Sequence, residues 1–419
     1  LPLGIEDLTE LVESSRVGFV FVRRNNGSTS AICGVEPSKV YGFGGSTVPS
    51  DSWDHCAETL RDLIRKHVLL MGYVSFGATA YWENVPFRSS SPFRDLEFAG
   101  YDSILQLDQR GSAWVVGSDK NYAFNNTKKS SCPMIDAKLF SESLKYDEYL
   151  AAVNAAKEYI HAGDIFQVVL ARRLELRVKG DVGSIFTRLT KINPSPYMYY
   201  LKFGERRIVG GSPETLFKVR GRKLETYPIA GTKPVTGNKA YDKRLRSDLL
   251  KSKKEAAEHV MLVDLARNDL GKVCEIGSIR IPIFRRVVRY SHVQHLVSKV
   301  TGRLQSGVDA FDAFKAVFPA GTVSGAPKVR AIEIIDELEH TSRGPYAGAV
   351  GFFDCSGDAD FAINIRSMYL SGDACYIGTG AGIVAGSDPH GEYLETQSKA
   401  AAILSVFGLE PRIGYQTIR

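Results

Sequence analysis

Two glycine-rich segments of this 419-residue chain and the acids that follow them combine residue types that packing alone rarely calls for. The run Gly321-Thr322-Val323-Ser324-Gly325-Ala326-Pro327-Lys328 is the first. Gly380-Ala381-Gly382 is the second, followed by Glu392-Tyr393-Leu394-Glu395-Thr396 with its paired carboxylates. Glycine loses more conformational freedom on folding than any other residue, so such turns persist where backbone must approach something closely. Carboxylates beside them point to a hard cation next to that ligand.

The elements that must position these residues follow from apolar periodicity. Alternation over 17–35 around Asn26-Gly27 predicts a hairpin. Residues 52–71 read as an amphipathic helix behind a Ser/Asp cap. A strand is expected near 113–116. The polar, turn-rich stretch 120–135 separates an N-terminal domain, 1–135, from a second one, 146–405. From Tyr146 a helix leads through Gly163-Asp164 into a strand at 165–170. Further strands are expected near 198–203, 207–210, 216–219, 224–229, 347–353, 360–370 and 374–384. Helices are expected at 251–266, 309–317, 328–339 and 392–406. Strands joined as hairpins, with helices in separate blocks, predict an α+β protein with mixed or antiparallel sheets.

Composition excludes several classes. Hydrophobic residues make up 44% and charged residues 24%, as in ordinary soluble proteins. No apolar run is long enough to span a bilayer, and the first residues lack a basic stretch followed by an apolar core, so neither a membrane span nor a signal peptide is expected. The net charge of +6 is mild, and its basic runs lack interleaved aromatics, so no nucleic-acid partner is expected. Cys33, Cys56, Cys132, Cys274, Cys355 and Cys375 form no C-x-x-C pair, which argues against zinc and suits a reducing cytoplasm.

The motifs, taken together, resemble the chorismate-utilising enzymes, and among them most closely the large subunits of anthranilate synthases. The matching stretches are Gly163–Leu170, Asn193–Met198, Gly211–Glu214, Tyr227–Thr232, Ala257–Gly271, Tyr290–Leu296, Gly321–Lys328, Arg343–Gly351 and Gly380–Thr396. They run in unbroken order across 146–405; the first 140 or so residues match less clearly. The resemblance implies a two-domain sandwich of facing, largely antiparallel β-sheets with helices outside. It implies conversion of chorismate and ammonia to anthranilate and pyruvate, with Mg²⁺.

By the same resemblance, Glu258 and Glu395 are the magnesium ligands, with Glu255 and Glu392 one helical turn before them on the same faces. Glu214 is the general acid that protonates the departing hydroxyl, a role that needs a raised pKa. His295 is tied to loss of pyruvate, and Thr322 donates a hydrogen bond to the ring. Arg366 offers a planar fork to the enolpyruvyl carboxylate, Tyr346 adds a hydroxyl, and Gly380, Ala381 and Gly382 add backbone N–H groups. Gly231 and Thr232 line the ring side, and Lys399 adds positive charge. Gln167 stands where relatives that add water, the isochorismate and salicylate synthases, carry a lysine base; a neutral amide cannot take a proton. Ala230 stands where aminodeoxychorismate synthases commonly carry lysine, and a methyl has no nucleophilic capacity. Asp264, Arg267, Asn268 and Asp269 are read as a capping and ion-pair network, and His259 and His292 as structural.

Asn193–Met198 resembles half of the family's tryptophan feedback site, with Pro196, Tyr197 and Met198 as inhibitor contacts. The other half is a Leu-Leu-Glu-Ser element. Its nearest counterpart is Leu11-Val12-Glu13-Ser14, farther from Ile32-Cys33-Gly34 than is usual; a shifted alignment puts Phe21-Val22 there instead. No cysteine sits in a Gly-x-Cys-x-Gly context, and the resemblance implies that ammonia comes from a separate glutamine amidotransferase subunit in a hetero-oligomer.

Overall fold

The computed structural model describes residues 3–409 except 26–27, 45–51, 86, 88–90, 119–121, 123–134 and 290–292. The stretch read as a domain boundary, and His292, therefore lie almost wholly or wholly outside the described residues.

Two large sheets form the frame. The first runs through Gly325–Ala326, Gln167–Lys179, Ala374–Ile383, Ser367–Ser371, Arg206–Ser212, Tyr197–Phe203, Val17–Asn25, Ser28–Val35, Ser103–Leu107 and Ala113–Gly117. Asp136–Glu142 adds to Gln167–Lys179. The second runs through Ile229–Pro234, Val293–Arg303, Lys223–Thr226, Thr215–Arg220, Ala359–Ile363, Ala349–Asp354, Leu69–Val74, Leu96–Tyr101 and Lys39–Phe43. Arg280–Arg289 adds to Val293–Arg303. Every ladder among the described residues is antiparallel, as expected, and both the N-terminal third and the remainder supply strands to both sheets.

The sheets face each other across an aromatic core. Phe21 of the first meets Phe352 of the second edge-on, with centroids 5.9 Å apart, and Phe19 meets Tyr101 at 5.0 Å. Such tilted geometries suit the ring quadrupoles. Behind the first sheet, the helices Ile5–Glu13, Val182–Ile192 and Pro389–Leu404 cover a second apolar layer that includes Leu8, Val22, Leu189, Met198 and Ile403.

Two helices matter most for the site. Lys253–Gly271 starts at Ser252, whose hydroxyl accepts from the Glu255 N–H. Pro389–Leu404 starts at Asp388, whose carboxylate accepts from Gly391 N–H, with proline in the first turn where no N–H is needed.

Three expectations need correction. The helix drawn over 52–71 ends at Ile64, and Leu69–Val74 is a strand buried on both faces. The strand drawn over 360–370 is two, Ala359–Ile363 and Ser367–Ser371, which lie in different sheets. The strand over 224–229 is likewise broken between Thr226 and Ile229. The helix Lys239–Lys251 was not anticipated; Leu249 is its one fully buried apolar residue, so it lacks an apolar stripe.

Candidate active site

The first sheet passes into the second at Ser212-Pro213-Glu214-Thr215, which places Glu214 at their junction. The Glu214 N–H donates to Ser212 Oγ at 3.2 Å, and its carbonyl accepts from Ile363 N–H at 3.0 Å. Its side chain enters a pocket that is also lined by Thr322, Gly321, Tyr227, Leu262, Leu265 and Asp269. Burial pushes the Glu214 carboxyl up to about 8, against smaller opposing pulls from the Thr322 hydroxyl, the Ile229 N–H and Lys399. The carboxyl is therefore protonated at neutral pH. Thr322 Oγ1 is near enough to influence it but forms no well-aligned hydrogen bond, so it is a buried hydroxyl with capacity to spare.

Gln167 opens the strand Gln167–Lys179 and is nearly buried. Its Oε1 is buried and has no hydrogen-bond partner among the described residues. A Cβ on Gly382 would lie 2.7 Å from its Nε2, so the missing side chain at Gly382 makes room for the amide. Gly378 is as constrained: a Cβ there would lie 2.2 Å from Cγ of Tyr346. Glycines 378, 380 and 382 thus form a bare stripe on one face of the strand Ala374–Ile383, covered by Tyr346 and Gln167.

The register shows which peptide groups of this stripe are available. Val169 and Ala171, opposite Gly382 and Gly380, donate to Ser324 O and Glu339 Oε1, away from the stripe. In an antiparallel pair the residues opposite must then point their own groups to the other edge. Gly380 and Gly382 accordingly offer N–H groups past Ile377, where pairing with Ser367–Ser371 stops. Ala381 faces the ladder with Leu170, so its N–H is directed into the sheet. Lys399 Nζ holds the Gly380 carbonyl at 2.8 Å.

His295, on Val293–Arg303, has Nδ1 2.9 Å from the Gly231 carbonyl and 3.1 Å from Thr232 Oγ1. A carbonyl only accepts, so Nδ1 carries the proton of the neutral ring. Burial holds His295 below the usual histidine range, opposed by the Gly231 contact and reinforced by Arg366 and Lys399. Gly231 adopts φ +64, and a Cβ there would meet Glu255 Oε2 at 2.6 Å. This one turn therefore links the histidine to the acidic helix.

Arg366 also sits in the left-handed region, at φ +54. That conformation is uncommon for a non-glycine residue and is retained where surroundings impose it. Burial lowers its guanidinium pKa, with Tyr346 and Glu395 opposing. The Tyr346 hydroxyl is pushed up to about 12, chiefly by burial.

Glu258 and Glu395 approach from two helices. Burial raises the Glu258 carboxyl; Lys254 opposes, while Glu255, Glu392 and Glu395 add to the rise. Glu392 is raised by burial too, with Glu395 adding. Lys254 lies 3.9 Å from Glu258 and Lys399 lies 2.7 Å from Glu395, each four residues away on the same helix. Among the described residues no three metal-binding side chains are gathered at bonding distance. Four carboxylates in each other's field, with hard oxygens only, nevertheless fit a magnesium ion that keeps several waters. Lys254 was not singled out in the sequence; its spacing to Glu258 was the available signal.

Of the residues read as one capping and ion-pair network, Asp269 and Asp264 form separate ion pairs. Asp269 bonds Lys328 at 2.8 Å and Lys272 at 3.2 Å, and Asp264 pairs with Arg267 at 2.6 Å on the surface. His259 is buried and bonds Ser298 Oγ at 2.6 Å, with burial holding it down to about 4. Pro196, Tyr197 and Met198 lie at the start of the strand Tyr197–Phe203, with the Tyr197 hydroxyl 3.0 Å from Thr215 next to Glu214. Tyr197 points between the sheets, its hydroxyl 2.8 Å from Asp360, whereas Met198 points into the outer layer beside Val12. Glu13 accepts from Tyr200 at 2.7 Å and from Gly183 N–H at 2.6 Å.

Comparison with known proteins bears on this arrangement. The profile of the chorismate binding enzyme family matches residues 19–405. Anthranilate synthase component 1 of Methanothermobacter marburgensis is 46% identical over 345 residues, 80% of this chain and 74% of that protein. The Saccharolobus solfataricus protein of the same name is 44% identical over 347 residues, 81% of this chain and 80% of that one. The structure of anthranilate synthase component I from Streptococcus pneumoniae superposes with TM-score 0.76 at 32% identity, covering 92% of both chains. The menaquinone-specific isochorismate synthase of Escherichia coli, 20% identical with TM-score 0.77, shares the fold.

Proposed function

Because the chain belongs to the chorismate binding enzyme family, we propose that it is the ammonia-using large component of an anthranilate synthase, forming anthranilate and pyruvate from chorismate. The observation that carries this choice is Gln167, a buried neutral amide where the water-adding relatives place a basic lysine. Ala230 argues against the aminodeoxychorismate alternative, since its methyl cannot act as a nucleophile.

In this reading the chorismate ring lies between Thr322 and the glycine stripe. Arg366, Tyr346 and the N–H groups of Gly380 and Gly382 hold the enolpyruvyl carboxylate. Ammonia attacks the ring with its lone pair, the diene electrons shift, and the far C–O bond breaks. Glu214 donates its proton to the departing hydroxyl, which leaves as water. The new ring ammonium returns a proton to the Glu214 carboxylate. His295 then accepts the ring C–H proton as the enol ether C–O bond breaks and the ring becomes aromatic, and the departing enolpyruvate takes up that proton on its methylene carbon to leave as pyruvate. Glu258 and Glu395, with Glu255 and Glu392 through water, would hold Mg²⁺. Bound there, Mg²⁺ supplies charge neutralisation for the ring carboxylate. Ammonia comes from a glutamine amidotransferase subunit. A cytoplasmic location belongs to the same reading. Among the described residues no helix is long and apolar enough to cross a membrane.

The test is the purified chain with chorismate, Mg²⁺ and an ammonium salt at alkaline pH. Anthranilate and pyruvate should appear in equal amounts, and glutamine should not replace ammonium. Formation of 4-amino-4-deoxychorismate or isochorismate instead would refute the assignment.

Tryptophan inhibition is a second expectation. Met198 faces the helices Ile5–Glu13 and Val182–Ile192 and Tyr197 faces the opposite side, so an inhibitor would meet Met198 by its side chain and Pro196 and Tyr197 mainly by backbone. The segment 1–135 would then serve as the regulatory part. Tryptophan should inhibit the parent, and Met198→Thr should weaken that inhibition by about tenfold, the equivalent of roughly 1.4 kcal/mol. Inhibition of equal strength in the variant would remove these residues from the site.

A further inference from the structure

Arg343 and Glu339 touch no substrate position in the mechanism above, yet they form the most densely bonded ion pair among the described residues. Arg343 Nε donates to Glu339 Oε2 at 2.9 Å, and Nη2 donates to Oε1 at 2.6 Å. The remaining donors do not go to solvent. Nη1 donates to the Val323 carbonyl at 2.7 Å, and Nη2 also reaches the Val169 carbonyl at 2.7 Å. Glu339 Oε1 additionally accepts from Ala171 N–H at 2.7 Å. Both side chains are almost fully buried, at 3% and 6% exposure, and the guanidinium lies 4.5 Å over the Phe76 ring.

The partners of this pair are what give it meaning. Val323 follows Thr322. Val169 lies two residues beyond Gln167 and opposite Gly382, and Ala171 lies opposite Gly380. Arg343 itself precedes Tyr346 by one turn, and the Arg343 carbonyl accepts from Tyr346 N–H at 3.2 Å. One fork of fixed geometry thus touches each of the backbone segments that carry Thr322, Gln167 and Tyr346. A guanidinium suits this task because its donors are planar and preset, unlike the rotatable ammonium of lysine.

The geometry points to Arg343 and Glu339 as a positioning clamp that fixes Gln167, Thr322 and Tyr346 relative to one another around the chorismate ring. The inference rests on the site reading given above. It predicts that the clamp acts on rate and substrate affinity separately from its contribution to stability.

Removing one partner alone would leave a buried charge unpaired and is strongly destabilising, so the test uses a neutral pair. In Arg343→Met/Glu339→Gln the amide oxygen still accepts from Ala171 N–H. Thermal unfolding and near-ultraviolet circular dichroism would establish that the variant is folded. Ammonia-dependent kcat should then fall by about a hundredfold, the scale of a 1 Å misplacement, and KM for chorismate should rise. A folded double variant with kcat and KM within about twofold of the parent would overturn the clamp. Arg343→Lys provides the second arm, because it keeps the charge and loses the fork. Parent-like kinetics in a folded Arg343→Lys enzyme would also overturn it. Failure of the underlying site reading is distinct: it would appear as Thr322→Ala and Tyr346→Phe enzymes with unaltered kinetics.

Discussion

Glu214→Gln should lose anthranilate formation by about a thousandfold, because no proton can then be delivered to the departing hydroxyl. The same variant should be more stable than the parent at neutral pH. The folded parent holds the Glu214 proton up to about 8, whereas an unfolded glutamate ionises near its ordinary value of 4.5. The raised pKa means that the folded state binds more protons, so the parent loses stability as pH rises from the unfolded value through the folded one. At pH 7 that loss is about 3 kcal/mol, and glutamine removes it. Denaturation of both proteins from pH 4 to 9 checks the sign: the gap in favour of the variant should open with pH and level off above about 8. A variant that is inactive but shows no such gap would mean that the carboxyl is not held neutral. In the parent, kcat/KM should fall along a limb near 8 as the acid of the free enzyme ionises.

Glu258→Gln and Glu395→Gln should each lose Mg²⁺-dependent turnover, again by about a thousandfold, with the fold intact. An amide keeps an oxygen donor and gives up a full charge. A readout independent of turnover is available. Mg²⁺ should raise the melting temperature of the parent, as any ligand of the native state does, and each variant should lose that shift. Near-parental activity at low Mg²⁺ in either variant would end the metal assignment. Lys399 already neutralises Glu395 from 2.7 Å, so the ion must compete with an internal cation for that oxygen.

Much of this site was legible in the residues. Glu214, His295, Arg366, Tyr346, Gly380, Gly382 and Lys399 were legible through the family motifs that their stretches resemble, and the fold brings them within each other's reach. The segments that escaped did so for physical reasons. Leu69–Val74 is buried on both faces, and a continuous apolar run does not distinguish strand from helix. The break at Asn364–Arg366 depends on the left-handed Arg366, which no propensity foretells. The raised Glu214 pKa is a property of its surroundings, and the Arg343 fork is defined by carbonyls that every residue possesses. Spacing in a sequence identifies side chains; it is silent about which peptide groups they reach.

The pairing of Leu69–Val74 with Ala349–Asp354 also carries a consequence for how the chain is made. Val74 lies opposite Ala349, so the strand leaves the ribosome long before its neighbour exists. At roughly 5–20 residues per second that interval is tens of seconds. Throughout it, a run apolar on both faces has only one paired edge available, through Leu96–Tyr101. Productive synthesis therefore depends on keeping that open edge from other nascent chains until the last part of the protein emerges. Yield in the cell should respond to chaperone supply and to translation speed more sharply than the finished fold would suggest.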